Sequence, residues 1–428
     1  MTRMKDSGIE WIGEMPEEWG IKPIKHIFGA IGSGTTPDSS KVEYYDGNIN
    51  WLQSGDLYKK DYVYAVSKTI TDLGYRSSAS LRIYQAPFLA IAMYGASIGN
   101  LAISKIDACV NQAVAVLKGE ENIVRFTKLA LEISKTELIF AAQGGTQPNI
   151  NQVLIKNWVI PFPSEIEIKK IADFLDKKVA QLDKVKSLLE EQIKTLEDYR
   201  QSLIYETVTK GLDKTVPLKD SGVDWIGQIP GGWEIGRLKD FVKFQTGTTP
   251  PQSVGVNQDE SGVPWFKPGD FSDNSIDLLS SENHITHEVV MQYNLSVYPK
   301  KTILLVGIAS IGKVGYSAQP SYSNQQITAL RTIGEIYPRY LAYLMFSSGR
   351  FIKETALYTV VPIINNQYLA TMRLVLPSEN EQKIIVEYLD RKLEQINQMI
   401  AIKKEQIENI NKQRQTLIYD YVTGKRRV

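Results

Sequence analysis

The chain has 428 residues, 43% hydrophobic and 23% charged, with a net charge of +1; that length buries an ample core, while the near-neutral balance offers no general electrostatic argument for nucleic acid. A single cysteine, Cys109, excludes an internal disulfide and fits a reducing compartment. The N-terminus, with Arg3, Lys5 and Asp6, has no apolar signal core, and the apolar stretches 87–103 and 302–312 are broken by Gly, Ser and Asn, short of the ~20 residues of a membrane helix; the expectation is a soluble, cytoplasmic protein.

Residues 1–163 read as a mixed α/β domain, with short apolar strands at 88–93, 101–104, 113–117 and 158–162 and a helix near 125–135 that carries Phe126, Leu129 and Ile133 on one face. Trp11, Pro16 and Trp19 suit a hydrophobic clasp against a helix. A helix of about 45 residues is predicted over 164–210, in a segment bounded as 164–212. Ser164 and Glu167 form a capping-box pattern, in which hydroxyl and carboxylate would reciprocally satisfy free backbone N–H groups, and Gly211 terminates the helix. Ile168, Ile171, Leu175, Leu182, Val185, Leu189, Leu196, Tyr199 and Leu203 fit the a and d positions of one heptad register, with Lys178 and Gln192 in the remaining seam positions. At about 1.5 Å per residue such a helix is roughly 65 Å long.

Everything then recurs. Residues 213–377 repeat the domain, with a matching helix at 337–346, and 378–428 repeat the helix. The seam there runs through Ile385, Leu389, Leu393, Ile396, Ile400, Ile407, Ile410 and Leu417, interrupted by Lys403 and Gln406, with Ser378 and Glu381 at its start and Gly424 at its end. Gly34-Thr35-Thr36-Pro37 returns as Gly247-Thr248-Thr249-Pro250, Trp51 with Gly55-Asp56 as Trp265 with Gly269-Asp270, Ala96-Ser97-Ile98-Gly99 as Ala309-Ser310-Ile311-Gly312, and Asn111-Gln112 as Asn324-Gln325. Arg200-Gln201-Ser202-Leu203-Ile204-Tyr205 returns as Arg414-Gln415-Thr416-Leu417-Ile418-Tyr419. Between these anchors the halves diverge: Lys59-Lys60-Asp61-Tyr62 faces Asp273-Asn274-Ser275-Ile276. The fold class expected is α+β: two similar mixed α/β domains separated by two long helices that pair antiparallel, as an internal tandem repeat with pseudo-twofold symmetry.

Chemistry is sparse. His26, His284, His287 and Cys109 give no zinc set, and the pair His284 and His287 lacks a third ligand. Gly307-Ile308-Ala309-Ser310-Ile311-Gly312-Lys313 imitates a P-loop, but Val314 stands where the magnesium-binding hydroxyl belongs, and the first half has Tyr94 and Asn100 in place of the Gly and Lys. No Asp- or Asn-Pro-Pro-aromatic adenine-methyltransferase motif occurs. No catalytic residue and no metal site is assigned.

The ordered set of Gly-Thr-Thr-Pro loops, Trp51-Leu52-Gln53-Ser54-Gly55-Asp56 with Trp265-Phe266-Lys267-Pro268-Gly269-Asp270, and Pro-Ser-Glu helices ending in Arg-Gln-Ser/Thr-Leu-Ile-Tyr resembles, over the whole chain, the specificity subunits of type I restriction-modification enzymes. The resemblance implies two target recognition domains, each reading half of a bipartite site in double-stranded DNA. It implies a coiled coil that docks two methyltransferase (modification) subunits, and restriction/translocase subunits beyond them. S-adenosylmethionine, ATP and Mg2+ would sit on those partners, with no cofactor on this chain. Candidate DNA contacts on the loops are Thr35, Thr36, Gln53, Ser54, Tyr58, Lys59, Lys60, Tyr94, Ser97, Gln143, Gln147 and Asn149 in the first half. In the second they are Thr248, Thr249, Lys267, Ser272, Asn274, Ser310, Lys313, Tyr358, Asn365 and Asn366. The candidate seam is Ile171, Leu175, Leu182, Leu189 and Leu196 with Leu389, Leu393, Ile396, Ile400 and Ile407. The alternative is a two-domain coiled-coil adaptor that binds no nucleic acid, separable by a salt-dependent DNA affinity.

Overall fold

The structure is a computed structural model that describes residues 3–142, 148–249, 262–293, 295–355 and 363–428. The chain forms two compact units: residues 1–188 with 405–428, and residues 189–404. Each unit therefore holds one globular repeat together with the beginning of one long helix and the end of the other.

In the first unit a five-stranded sheet runs in the order Ala30–Gly32, Val114–Lys118, Phe88–Ala92, Leu101–Ser104, Tyr62–Val63. Its central pair is antiparallel, Val114 opposite Ala92 and Leu117 opposite Leu89. Side chains alternate across a strand, and both faces here are apolar. Leu89, Ile91, Ala115 and Leu117 pack with Val124 and Leu131 of the helix Glu121–Ile133, while Phe88, Ala90, Val114 and Val116 pack with Leu52, Leu57 and Val63 on the other face. Burial on both sides explains why these strands read as continuous apolar runs. A three-stranded sheet joins Cys109–Val110, Tyr45–Leu52 and Thr69–Ile70 in the order given.

The second unit repeats this topology. Its five strands run Val242–Thr246, Ile327–Thr332, Ile303–Val306, Val314–Ser317, Asp277–Leu278, and a three-stranded sheet joins His284–Ile285, Val263–Phe266 and Tyr322–Ser323. The helix Pro338–Ser347 occupies the place of Glu121–Ile133.

The long helices span Glu165–Lys210 and Glu379–Val422. Within each unit they run antiparallel. In the first, Phe174 packs on Tyr421 and Asp183 meets Arg414; in the second, Lys403 donates to Gln192 and Arg200 to Asn397. Partner numbers fall as helix numbers rise. No described helix is long and apolar enough to cross a membrane.

The seam departs from the heptad in one respect. Lys178, Val185, Gln192 and Tyr199 are exposed, and their neighbours Val179, Lys186, Ile193 and Arg200 are buried or half-buried instead. The inward positions that recur are Ile171, Leu182, Ile193 and Ile204, and Ile385, Ile396, Ile407 and Ile418, spaced by eleven. At 3.6 residues per turn a heptad falls about 20° short of two turns and eleven residues overshoot three turns by about 20°, so a stripe that recurs every eleven residues drifts the opposite way from a heptad stripe. The other seam candidates are buried (Leu175, Leu389, Leu393, Ile400) or half-buried (Leu189, Leu196).

Helix ends fasten the globular parts. The indoles of Trp19 and Trp233 donate to Glu167 and Glu381, while Ser164 and Ser378 cap the helix by accepting from the backbone N–H of those same glutamates at 3.3 Å. Glu167 also accepts from the Ser164 hydroxyl at 3.2 Å, so cap and glutamate are joined through their side chains as well. At the far ends the phenols of Tyr419 and Tyr205 donate to the carbonyls of Ile12 and Ile226. Gly424 and Gly211, at φ of +77° and +69°, stop the helices in the left-handed conformation, and a Cβ on Gly424 would lie 2.4 Å from Pro16.

Candidate nucleic-acid interface

Two groups of candidate residues emerge in each unit. The first is the Gly-Thr-Thr loop. A Cβ on Gly34 would lie 1.8 Å from the Val110 carbonyl oxygen, and one on Gly247 2.2 Å from that of Asn324, so only glycine lets the loop lie on the chain ahead of the Asn-Gln pair. That approach brings the Thr36 hydroxyl to Gln112, donating to Oε1 at 2.6 Å. Thr249 donates likewise to Gln325. Both glutamines are exposed, and with Oε1 committed, each carboxamide keeps its two N–H donors for a ligand. The Thr35 carbonyl accepts from the Trp51 indole at 3.3 Å, and the Thr248 N–H donates to the Ser323 carbonyl at 3.0 Å. Gln112 and Gln325 were legible only as repeat anchors; the signal that marks them as functional candidates is their shared clasp by the loop threonine.

The second group surrounds the Ala-Ser-Ile-Gly turn. In the first unit Lys59, Lys60, Asp61, Asn100, Lys128, Glu132 and Lys135 line a cleft of about 190 Å³; in the second, Ser272, Asp273, Ser310, Lys313, Arg350 and Lys353 are among those lining one of about 660 Å³. Lys313 is tied by its ammonium to Asp273 at 3.1 Å and to the Phe271 carbonyl at 3.3 Å. Lys128 is bound by both Asp61 and Glu132. Burial pushes the Asp61 carboxyl up, but the ammonium of Lys128 beside it prevails and holds it below the ordinary range. Burial pulls the Lys135 ammonium down.

Other candidates are engaged by the fold itself. Asn365 caps the helix Asn366–Thr371 by accepting from Tyr368 N–H at 2.8 Å, and Asn366 bridges Thr328 and Thr246. Lys267 lies over the Trp265 ring and donates to Asn283. Asn274 accepts from the buried Arg200. Gln53 and Ser54 are half-buried in a turn whose Asp56 carboxylate accepts from the Gln53 N–H. Tyr94 and Ser97 are half-buried, and Tyr58, Lys59, Lys60, Asn149, Ser272 and Ser310 expose their side chains. Gln143, Gln147 and Tyr358 lie outside the described residues. Among the described residues no group of three or more His, Cys, Asp or Glu side chains could hold a metal ion.

Two copies of one domain, each fastened to both long helices, make a two-headed protein. The sequence matches the type I restriction modification DNA specificity domain over residues 16–197 and again over 230–411, and the chain belongs to that family. Specificity subunits are the sequence-recognising, non-catalytic parts of their complexes. A specificity subunit of the type I restriction enzyme MjaIX from Methanocaldococcus jannaschii is 24% identical over 97% of this chain and 95% of its own length. That of EcoR124I/EcoR124II from Escherichia coli is 27% identical over 54% of this chain and 55% of its own. Among solved structures, a chain from work on complex assembly and conformational transition of the type I R-M system superposes with a TM-score of 0.74 at 16% identity, covering 95% of this chain and 98% of that one. The HsdS subunit from Thermoanaerobacter tengcongensis gives 0.52 at 18% identity, covering 96% and 98%. These two likenesses are of fold.

Proposed function

We propose that this chain reads a bipartite sequence in double-stranded DNA, each unit taking one half-site, while the paired helices dock two methyltransferase subunits. Those partners would carry S-adenosylmethionine, and restriction/translocase subunits would bring ATP and Mg2+; the complex would work in the cytoplasm, where the DNA is. The observation that carries this reading is the pattern of what repeats. The fastenings recur residue for residue, Trp19 with Trp233, Tyr419 with Tyr205, Thr36–Gln112 with Thr249–Gln325. The exposed positions between them do not, Lys59-Lys60 standing against Asp273-Asn274. A common mount with two different faces is what reading two different short sequences requires, since base edges are distinguished by the types of side chain offered to them.

The test is to reconstitute the chain with its methyltransferase subunits and sequence the methylated DNA. A motif of two specified blocks around an unspecified gap is expected, and exchanging the surface loops of the first unit for those of a relative should change one block only. Methylation of a single contiguous motif, or change in both blocks, would sink the reading. Absence of any salt-dependent DNA affinity would favour the adaptor alternative.

A further inference from the structure

We propose that Gln112 and Gln325 each read a guanine, one in each half-site, and that the threonine clasp bars adenine from that position. The inference rests on the reading of the chain as a DNA reader and deepens it.

The backbone beneath each glutamine is fixed. Gln112 stands at the tip of a tight turn, closed by the Val114 N–H donating to the Asn111 carbonyl at 3.3 Å, while the Asn111 side chain accepts from the Ala113 N–H at 3.1 Å. Gln325 stands at the same point of a matching turn. There the Ile327 N–H donates to the Asn324 carbonyl at 3.2 Å, and the Asn324 side chain accepts from the Gln326 N–H at 3.1 Å. Both turns are tied to the neighbouring strand, the Asn111 N–H donating to the Leu52 carbonyl at 3.1 Å and the Asn324 N–H to the Phe266 carbonyl at 3.2 Å.

The side chain is fixed as well. A free carboxamide can turn over and offer its oxygen beside one N–H, which matches adenine, whose major-groove edge sets an N7 acceptor beside an N6 donor. Here the hydroxyls of Thr36 and Thr249 hold the Oε1 atoms of Gln112 and Gln325, so Nε2 faces outward with two donors. Guanine presents two acceptors in that groove, N7 and O6, and is the base such a group suits. Phosphate oxygens accept from any donor within reach, and fixing which end of a carboxamide faces outward would gain nothing there. The positions that diverge between the units answer for what differs between the half-sites. This shared pair answers for a base they have in common.

The test uses the full chain in its methyltransferase complex. Gln112→Ala and Gln325→Ala change exposed side chains. Sequencing of the methylated DNA should show each of them relaxing one base position, in one block only, and that position should be a guanine. A duplex with deazaguanine, which lacks N7, at the first of these positions should bind the unaltered complex roughly threefold to tenfold more weakly, as loss of one hydrogen bond implies. The Gln112→Ala complex should bind the two duplexes alike. Thr36→Val frees Oε1 and should admit adenine at that same position, with the other block unchanged. Any base but guanine at the relaxed positions, no relaxed position, or a guanine requirement that survives Thr36→Val untouched would overturn the proposal. So would equal weakening of motif-bearing and scrambled duplexes by Gln112→Ala, the mark of a phosphate contact. If the unaltered complex binds neither duplex, it is the DNA reading itself that fails.

Discussion

Gln112 and Gln325 owe their positions to glycines far away in sequence. Gly34→Ala or Gly247→Ala places a methyl group against a carbonyl oxygen, and such overpacking costs about 1–3 kcal/mol. The expected outcome is a lower unfolding midpoint together with weakened DNA binding, because the threonine clasp moves with the loop; an unchanged midpoint would show that the approach is looser than it looks. A second residue-scale expectation concerns pH. The folded chain holds the Asp61 carboxyl below its ordinary value, so its contribution to stability is present above the unfolded pKa of about 3.9 and is lost as pH falls through the depressed folded value. Asp61→Asn should therefore be less stable than the parent at pH 7 by denaturant unfolding, with the difference vanishing under acid. The Asp61 side chain is 43% exposed, which keeps the effect modest. Individual contacts of this kind were the least legible from sequence. Asn365, Asn366 and Asn274 have the chemistry of base readers, and only the structure shows one capping a helix, one bridging two threonines and one seated on Arg200.

The long helices are most deeply buried where they meet the globular repeats. Leu389 and Leu175 are fully buried there, and truncating either to alanine should cost about 2–5 kcal/mol in denaturant unfolding. Val185→Ala should stay within about 0.5 kcal/mol, since Val185 is 47% exposed; a large loss there would restore the heptad. Both helices were legible end to end, because caps and glycine stops are local signals. The inward face was harder. A run such as Leu175, Leu182, Leu189, Leu196 fits 3.5 and 3.6 residues per turn almost equally over a short span, and what separates them is which neighbour, Lys178 or Val179, faces inward. Charge did not settle the matter, because Lys186 and Arg200 are themselves turned inward.

At the scale of the whole chain the duplication was the most legible feature, because a sequence compared with itself needs no external reference. The two five-stranded sheets share one order of strands, as that comparison implied. The bases recognised stay illegible, since loop side chains follow no residue-to-base code. If the helices set the unread gap, deleting 183–193 and 397–407 together should keep every seam residue facing inward and shorten the gap by about five base pairs at about 1.5 Å per residue and 3.4 Å per base pair. Removing 185–191 and 399–405 should remove about three base pairs but turn the seam, so that the protein loses stability as well. Methylation-motif sequencing and thermal unfolding read the two effects separately, and an unaltered gap with either deletion would show that the helices are no ruler.

The eleven-residue recurrence also bears on how such a protein can diversify. Eleven residues of α-helix span about 16.5 Å, close to half of the roughly 34 Å pitch of duplex DNA. If the helices are the ruler, a single such step in both would keep the seam facing inward while carrying the second half-site half a DNA turn round, and a pair of steps would restore its side. Paired changes of twenty-two residues would then be the ones that disturb neither the seam nor the face of the DNA that is met.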